Sequence, residues 1–541
     1  MPERRNVMTI VSLAFLLFVA LALVLYFVIP LRYRWIVLLA ASYVFYWLNS
    51  RWLVFVLLGM TAVSYLIGLW IQRVNDKGAE VLKSEGVALS KEARKEKKNA
   101  VKKASRRILV LGVLAVLSCL LFLKYYNFLG GSLNHLLNLL GVHGNPVPHL
   151  GLLVPLGISF YTLQAISYMT DVYREKIRAD RNPFRFMLYM SFFPQIIQGP
   201  IPRHSDLAHQ LYEGHRFDYR NLCFGTQLIL FGMIKKLVIA DRLAVFVQTV
   251  SGGYKSLNGA VFFFAAVLYG FQVYADFSGG MDIARGVAET MGIRLSPNFN
   301  QPYFATSVEN FWRRWHMTLG AWMKDYVFYP LSLSKAFTKL GRGSRKVFGP
   351  NVGKKIPSLL AMFIVFLLVG FWHGSSWKYV AFGLWNSLFI MSGILLQNFY
   401  QRARQKLGIR EGSVLLNVFR MIRTFVIVTI GRFFTFSGSL MAALSMLKRF
   451  LTRFWDFSFL GSGMLVKNGL RTADWIVILC GLILLFTVDV LHEKKIGIRM
   501  AIAKRHIAIR WVVYLAAIVL LVLFGLYGQA NSASAFIYEQ F

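Results

Sequence analysis

The sequence predicts an all-α, polytopic membrane protein with about 11–12 transmembrane helices and further re-entrant or interfacial helices. Three observations predict it. Of the 541 residues, 56% are hydrophobic. Only 16% are charged, where an ordinary soluble protein has about 25%. Apolar runs recur along the whole chain, many of them near the roughly 20 residues that a helix needs to cross the hydrocarbon core. Runs so evenly spread exclude the string of soluble domains that length alone would suggest. They leave one membrane-embedded domain, residues 1–541, carrying a basic cytoplasmic loop at 73–107.

The first run, residues 7–29, is too long for the apolar core of a signal peptide. It ends at Pro30, Leu31 and Arg32 without a small-x-small cleavage site, so it is expected to stay in the mature protein. Further runs lie at 35–48, 52–71, 108–128, 150–168, 222–239 and 259–274, then at 356–372, 379–396, 414–434, 475–490 and 511–526. Segments 186–201, 243–250 and 311–331 are also apolar, but short or broken by Gly, Pro or charge. Irregular backbone is stable at membrane depth only where protein or a water-filled cavity surrounds it, so these segments are expected to line an internal cavity. Residues 73–107 hold 12 Lys and Arg and 5 Asp and Glu, which predicts a solvated, partly helical loop on the cytoplasmic face. Three crossings before that loop would put the N-terminus outside, whereas Arg4 and Arg5 favour the inside. The loop, with more basic residues, is the stronger guide.

The charge balance is 61 Lys and Arg against 24 Asp and Glu, a net of +37. In a bilayer protein such an excess faces anionic headgroups, and no basic run is interleaved with aromatics at a stacking spacing, so nucleic acid is not expected as a partner. Cys119, Cys223 and Cys480 lie in apolar stretches with no C-x-x-C spacing, which excludes a disulfide framework or a zinc site. There is no G-x-S-x-G elbow, and GPNVGKK at Gly349 lacks the glycine spacing and the Ser or Thr of a phosphate-binding loop.

Two histidines stand out between Tyr274 and Trp377. His373 ends the apolar run 356–371 within VGFWHGSSWKY, where Trp372, Ser375, Ser376 and Trp377 flank it. An ionisable group at the end of a membrane run faces a cavity or the bundle interior, and imidazole exchanges a proton near neutral pH. A core or interfacial histidine is the alternative. His316 closes the run WRRWH; if that run is helical, Trp312, Trp315 and His316 share a face and Arg313 and Arg314 turn away. A membrane-interface belt of Trp and Arg is the competing reading.

Six ordered motifs, covering most of the chain, then resemble the membrane-bound O-acyltransferase family. They are VPLGISFYTLQAISYMTDVYR (154–174), FFPQIIQGPIPR (192–203), DFSGGMDIARG (276–286), NFNQPYF with FWRRWHMTLGAWMKDYVFYPL (298–331), GFWHGSSW (370–377) and FGLYGQANSASAFIYEQF (524–541). The similarity is to the bacterial branch, which includes the alginate O-acetyltransferase membrane subunit and the teichoic-acid D-alanyl transfer protein. It implies helices around a central tunnel in the bacterial inner membrane, where a cytosolic acyl thioester meets an acceptor hydroxyl. It implies that His373 is catalytic and that His316 is the family's second recurrent polar position. It also implies an extracytoplasmic acyl-accepting protein or polysaccharide as partner. The donor would be acetyl-CoA or the phosphopantetheine of an acyl carrier protein, with no tightly bound cofactor and no metal.

The residue types suit that chemistry. A histidine can remove the proton from an attacking hydroxyl, and a second imidazole, Ser375 or Ser376 can position the donor or stabilise an oxyanion. Arg313 and Arg314 are candidates for an acidic donor or for lipid headgroups. Asp276, Asp282, Gln195 and Gln198 are read as helix caps and polar packing between broken helices, with substrate contact as the alternative. Exopolysaccharide O-acetylation is preferred to D-alanylation. A transporter or a catalytically silent scaffold is the reading from another class, but the matched, interrupted spans of a transporter are not found.

Overall fold

The computed structural model describes residues 8–84, 90–467 and 469–527, all of them in helices or their connections apart from one isolated bridge between Phe299 and Trp315. Arg4, Arg5 and most of the 524–541 motif lie outside the described residues. Among those described, nine helical stretches are long and apolar enough to cross a membrane: Leu31–Ser84, Lys91–Leu139, Tyr219–Gly252, Ala260–Thr290, Ile356–His373, Trp377–Leu395, Val414–Phe436, Thr472–Glu493 and Ile507–Phe524. The protein is an all-α, multi-pass membrane protein.

The count falls below twelve for three local reasons. The runs at 35–48 and 52–71 join across a single turn at Arg51–Leu53. The first run yields only the 16-residue helix Leu13–Val28. The run at 150–168 begins as irregular chain, because Gly157 stands at φ +72° with the Ile196 carbonyl oxygen filling the space of any side chain. Only glycine takes that conformation at no steric cost, so the helix starts at Ile158 and ends at Tyr173.

Two compact units divide the chain, one running to Gly225 and including Val287–Ser296, the other Thr226–Gly286 with Pro297 onward. Within the first, the basic stretch is largely helical. Val54–Ser84 and Lys91–Leu120 extend into it from either side, and the Ser105 hydroxyl donates to Asn75 Oδ1 at 2.5 Å. Lys, Glu and Ala are strong helix formers, and the Ser90 hydroxyl caps the returning helix by accepting from the Ala93 amide. The segment after Asn182 is broken, as expected: helices Pro183–Ser191 and Phe193–Ile196 are followed by a turn and irregular chain up to Arg203. Gln195 and Gln198 are buried in it, and neither caps a helix.

In the second unit, helix pairs close on small residues. A Cβ on Gly232 would stand 2.5 Å from the Gly279 carbonyl oxygen, so Tyr219–Gly252 and Ala260–Thr290 cross backbone to backbone. Gly370 and Gly383 do the same for Ile356–His373 and Trp377–Leu395, with the Phe366 and Tyr379 carbonyl oxygens against them. Small residues permit this close packing in membranes. Gly383→Val is therefore expected to destabilise the protein by about 1–3 kcal/mol, read as a lower thermal midpoint of the detergent-purified protein. An unchanged midpoint would show that the pair tolerates separation.

Candidate active site

His373 is the last residue of the Ile356–His373 helix, which stops at Gly374, where the Tyr379 ring leaves no room for a side chain. The imidazole is buried, edge-on to Trp372 at 5.1 Å and to Phe382 at 5.6 Å between ring centres. It lines a cavity of about 50 Å³ with Trp312, Trp315, Asn386, Arg432 and Thr435 among its other walls. That is room for a few waters or a small acyl group, since one water needs about 10–15 Å³ by the same measure.

His316 is 1% exposed and stands at φ +48°, between helices Val308–Arg314 and Met317–Met323. The expected helical face through Trp312, Trp315 and His316 does not form, because the first helix ends at Arg314 and Trp315 is extended. What replaces it is a clamp built from Asn298. The Met317 amide donates to the Asn298 carbonyl oxygen at 2.9 Å, and the Thr318 amide and hydroxyl both donate to Asn298 Oδ1 at 2.9 Å. The same side-chain amide faces His316 Nδ1, with Asn298 Nδ2 at 3.0 Å and Oδ1 at 3.3 Å.

Trp372 bridges the two histidines, its ring 5.3 Å from His316 and 5.1 Å from His373, and Phe277 closes over His316 at 4.8 Å. His316 lies outside the nine spanning helices. Burial holds its imidazole well below the usual histidine value, and the neighbouring His373 pushes the same way. The folded chain thus refuses a proton that the unfolded chain accepts below about pH 6.5, so this residue's effect is absent above that pH and destabilising below it. His316→Asn is expected to flatten part of the fall in thermal midpoint between pH 7 and 5; identical wild-type and variant curves would contradict this.

The other sequence candidates separate. Trp312 donates through Nε1 to Asn386 Oδ1 at 2.9 Å and packs on Phe366 and Phe382, while Trp315 stacks on Phe311; both tryptophans face the His373 cavity. Arg313 is exposed and paired with Glu309, and Arg314 forms a forked ion pair with Glu493 at 2.7 and 3.0 Å. Ser375 and Trp377 are exposed, Ser376 precedes the next helix, and none of the three lines the cavity. Asp276 and Asp282 cap nothing. They lie inside the Ala260–Thr290 helix, where Asp276 pairs with Lys236 at 2.8 Å and Asp282 with Lys235 at 2.6 Å; Asp241 adds a second carboxylate 2.9 Å from Lys236. A wide turn at Ile234–Ala240 presents both lysines, and buried charges of this kind persist only when paired.

Asn298, Asn386 and Arg432 were not singled out from sequence. Arg432 shares its apolar span with Arg420 and Arg423, so an ionisable residue at membrane depth, a functional mark by default, does not by itself single it out.

The family model of the membrane-bound O-acyltransferases matches residues 173–440, which contain both histidines. A Pseudomonas aeruginosa protein named probable alginate O-acetylase AlgI is 33% identical over 418 residues, 77% of this chain and 69% of that protein. The peptidoglycan O-acetyltransferase of Helicobacter pylori is 31% identical over 366 residues, 63% of this chain and 64% of its own. The teichoic acid D-alanyltransferase of Bacillus subtilis is 28% identical over 309 residues, 54% of this chain and 72% of its own. With His373 on a cavity wall, His316 joined to it through Trp372, and a relative 33% identical over 77% of the sequence, the chain belongs to the membrane-bound O-acyltransferase family.

Proposed function

We propose that this O-acyltransferase moves an acetyl group from a thioester on the cytoplasmic side to a hydroxyl of an extracytoplasmic polysaccharide, or of a partner protein that hands it on. The observation that carries this reading is the buried His373 at the wall of a small polar-edged cavity, within the family-matched stretch. His373 acts as general base, taking the hydroxyl proton as the oxygen attacks the thioester carbonyl. The imidazolium then returns that proton to the leaving thiolate. Phe382, Trp372 and Trp315 exclude bulk water from the imidazole, which protects the thioester from hydrolysis.

Acetyl is preferred because relatives named for O-acetylation match at 33% and 31% identity, against 28% for the D-alanyltransferase. The donor is acetyl-CoA or an acyl carrier's phosphopantetheine, the compartment a bacterial inner membrane, and an extracytoplasmic protein the partner. The test is the ester content of the envelope polymer, measured by NMR after deletion of the gene and after complementation. Loss of O-acetyl signal restored by the wild-type chain supports the reading. Loss of D-alanyl esters instead would move the donor to a D-alanyl thioester, and unchanged esters would remove the polymer as acceptor.

A further inference from the structure

Arg432 sits where the helix Val414–Gly431 gives way to the turn Phe433–Phe436, and only 5% of it is exposed. Its Nη2 donates to the Tyr303 hydroxyl at 3.0 Å, and Tyr303 in turn donates to the Gly270 carbonyl oxygen at 2.6 Å. The guanidinium lies over the Tyr303 and Trp315 rings at 5.5 and 5.9 Å. Buried Nη1 makes no hydrogen bond, and among the described residues no carboxylate pairs with the group. Gly270 makes the space: a Cβ there would collide with Nη1.

A buried cation whose partners are one phenol, Tyr303, and one indole, Trp315, is costly. The carbonyl end of the preceding helix offsets part of that cost, but among the described residues no carboxylate neutralises the charge. Arg432 and His373 line the same cavity, and acyl transfer develops a negative charge in such a place. We propose that Arg432 binds the acyl carbonyl oxygen and stabilises the oxyanion of the tetrahedral intermediate. This rests on the acyltransferase reading above and names a further catalytic residue within it. In the first half-step the acceptor oxygen bonds to the carbonyl carbon, its proton passes to His373, and the π pair moves onto the oxygen held by Arg432. In the second the C=O bond re-forms, the C–S bond breaks, and the thiolate leaves with the proton from His373. Interaction with a charge that exists only in the transition state acts on kcat rather than on KM.

The experiment assays acetyl transfer by the purified, full-length protein for Arg432→Gln, Arg432→Lys and His373→Ala, with thermal midpoints alongside. Arg432→Gln is expected to lower kcat by about 10²-fold or more, with donor KM and midpoint near wild type; a wild-type kcat overturns the proposal. Should Arg432→Gln fail to fold, Arg432→Lys decides, since it keeps the charge: kcat within about tenfold of wild type supports the proposal, and a folded protein as inactive as His373→Ala overturns it. The parallel His373→Ala keeps the two claims apart. A slow His373→Ala beside a wild-type Arg432→Gln removes the arginine's role alone. An active His373→Ala beside a slow Arg432→Gln removes the base and leaves the arginine.

Discussion

His373→Ala is expected to lower acyl transfer by about 10³-fold or more while leaving the protein folded in the membrane. General-base assistance is worth about 10²–10⁴-fold, and the imidazole is a buried titratable side chain lining the cavity, with no second histidine on its walls. The substitution removes a ring packed on Trp372 and Phe382, so a small loss of stability accompanies it. His373→Gln fills more of the space and separates the effects: both variants inactive and both folded points to chemistry. Activity within tenfold of wild type in either would show that the imidazole is only a packed core group. The measurement is labelled-acetyl transfer in membrane fractions, normalised to protein that survives solubilisation as a single species.

The second large effect is expected at His316. Its positive φ and its place between two short helices mean that alanine alters backbone and chemistry together. Asparagine is the cleaner probe because it adopts the left-handed conformation readily while lacking the imidazole. His316→Asn is expected to fold and to lose about 10²-fold in transfer. With Nδ1 beside the Asn298 amide at 3.0 Å and its ring against Trp372, the imidazole is held in one place next to the ring that packs on His373. If His316→Asn transfers at the wild-type rate, the residue serves the fold alone. Asn298→Ala, which releases the clamp while leaving the imidazole in place, is expected to fall between wild type and His316→Asn.

Much of this architecture is legible in the sequence because membrane helices are set by composition and length, and those are local. Ile356–His373 and Ile507–Phe524 nearly coincide with the apolar runs that predict them. Where prediction and structure part, the cause is an interaction between distant residues. Nothing near Gly157 says that the Ile196 carbonyl oxygen will fill its side-chain space. Nothing in WRRWH reveals that Asn298 will draw His316 out of the helix and into a left-handed turn. Asp276 looks like a cap at the end of an apolar run; its partner Lys236 is 40 residues away and reaches it only because Gly232 and Gly279 let two helices touch. At the site, His373 and His316 stand out from sequence by residue type and by family resemblance. Arg432 looks like one more cation in a chain with 61 of them. Only its burial, its unfilled donor and its place on the His373 cavity distinguish it.

On the proposed reading one buried imidazole, His373, takes the acceptor's proton and returns it to the leaving thiolate while the acetyl group passes directly from thioester to alcohol. It is tested most directly in sealed vesicles holding the purified chain and its extracytoplasmic partner, with labelled acetyl thioester inside and the polymer outside. Wild-type vesicles are expected to place ester label on the outer polymer, and His373→Ala vesicles to leave it in the donor. Equal labelling by both, or label that leaves the vesicles only as free acetate, would contradict the account.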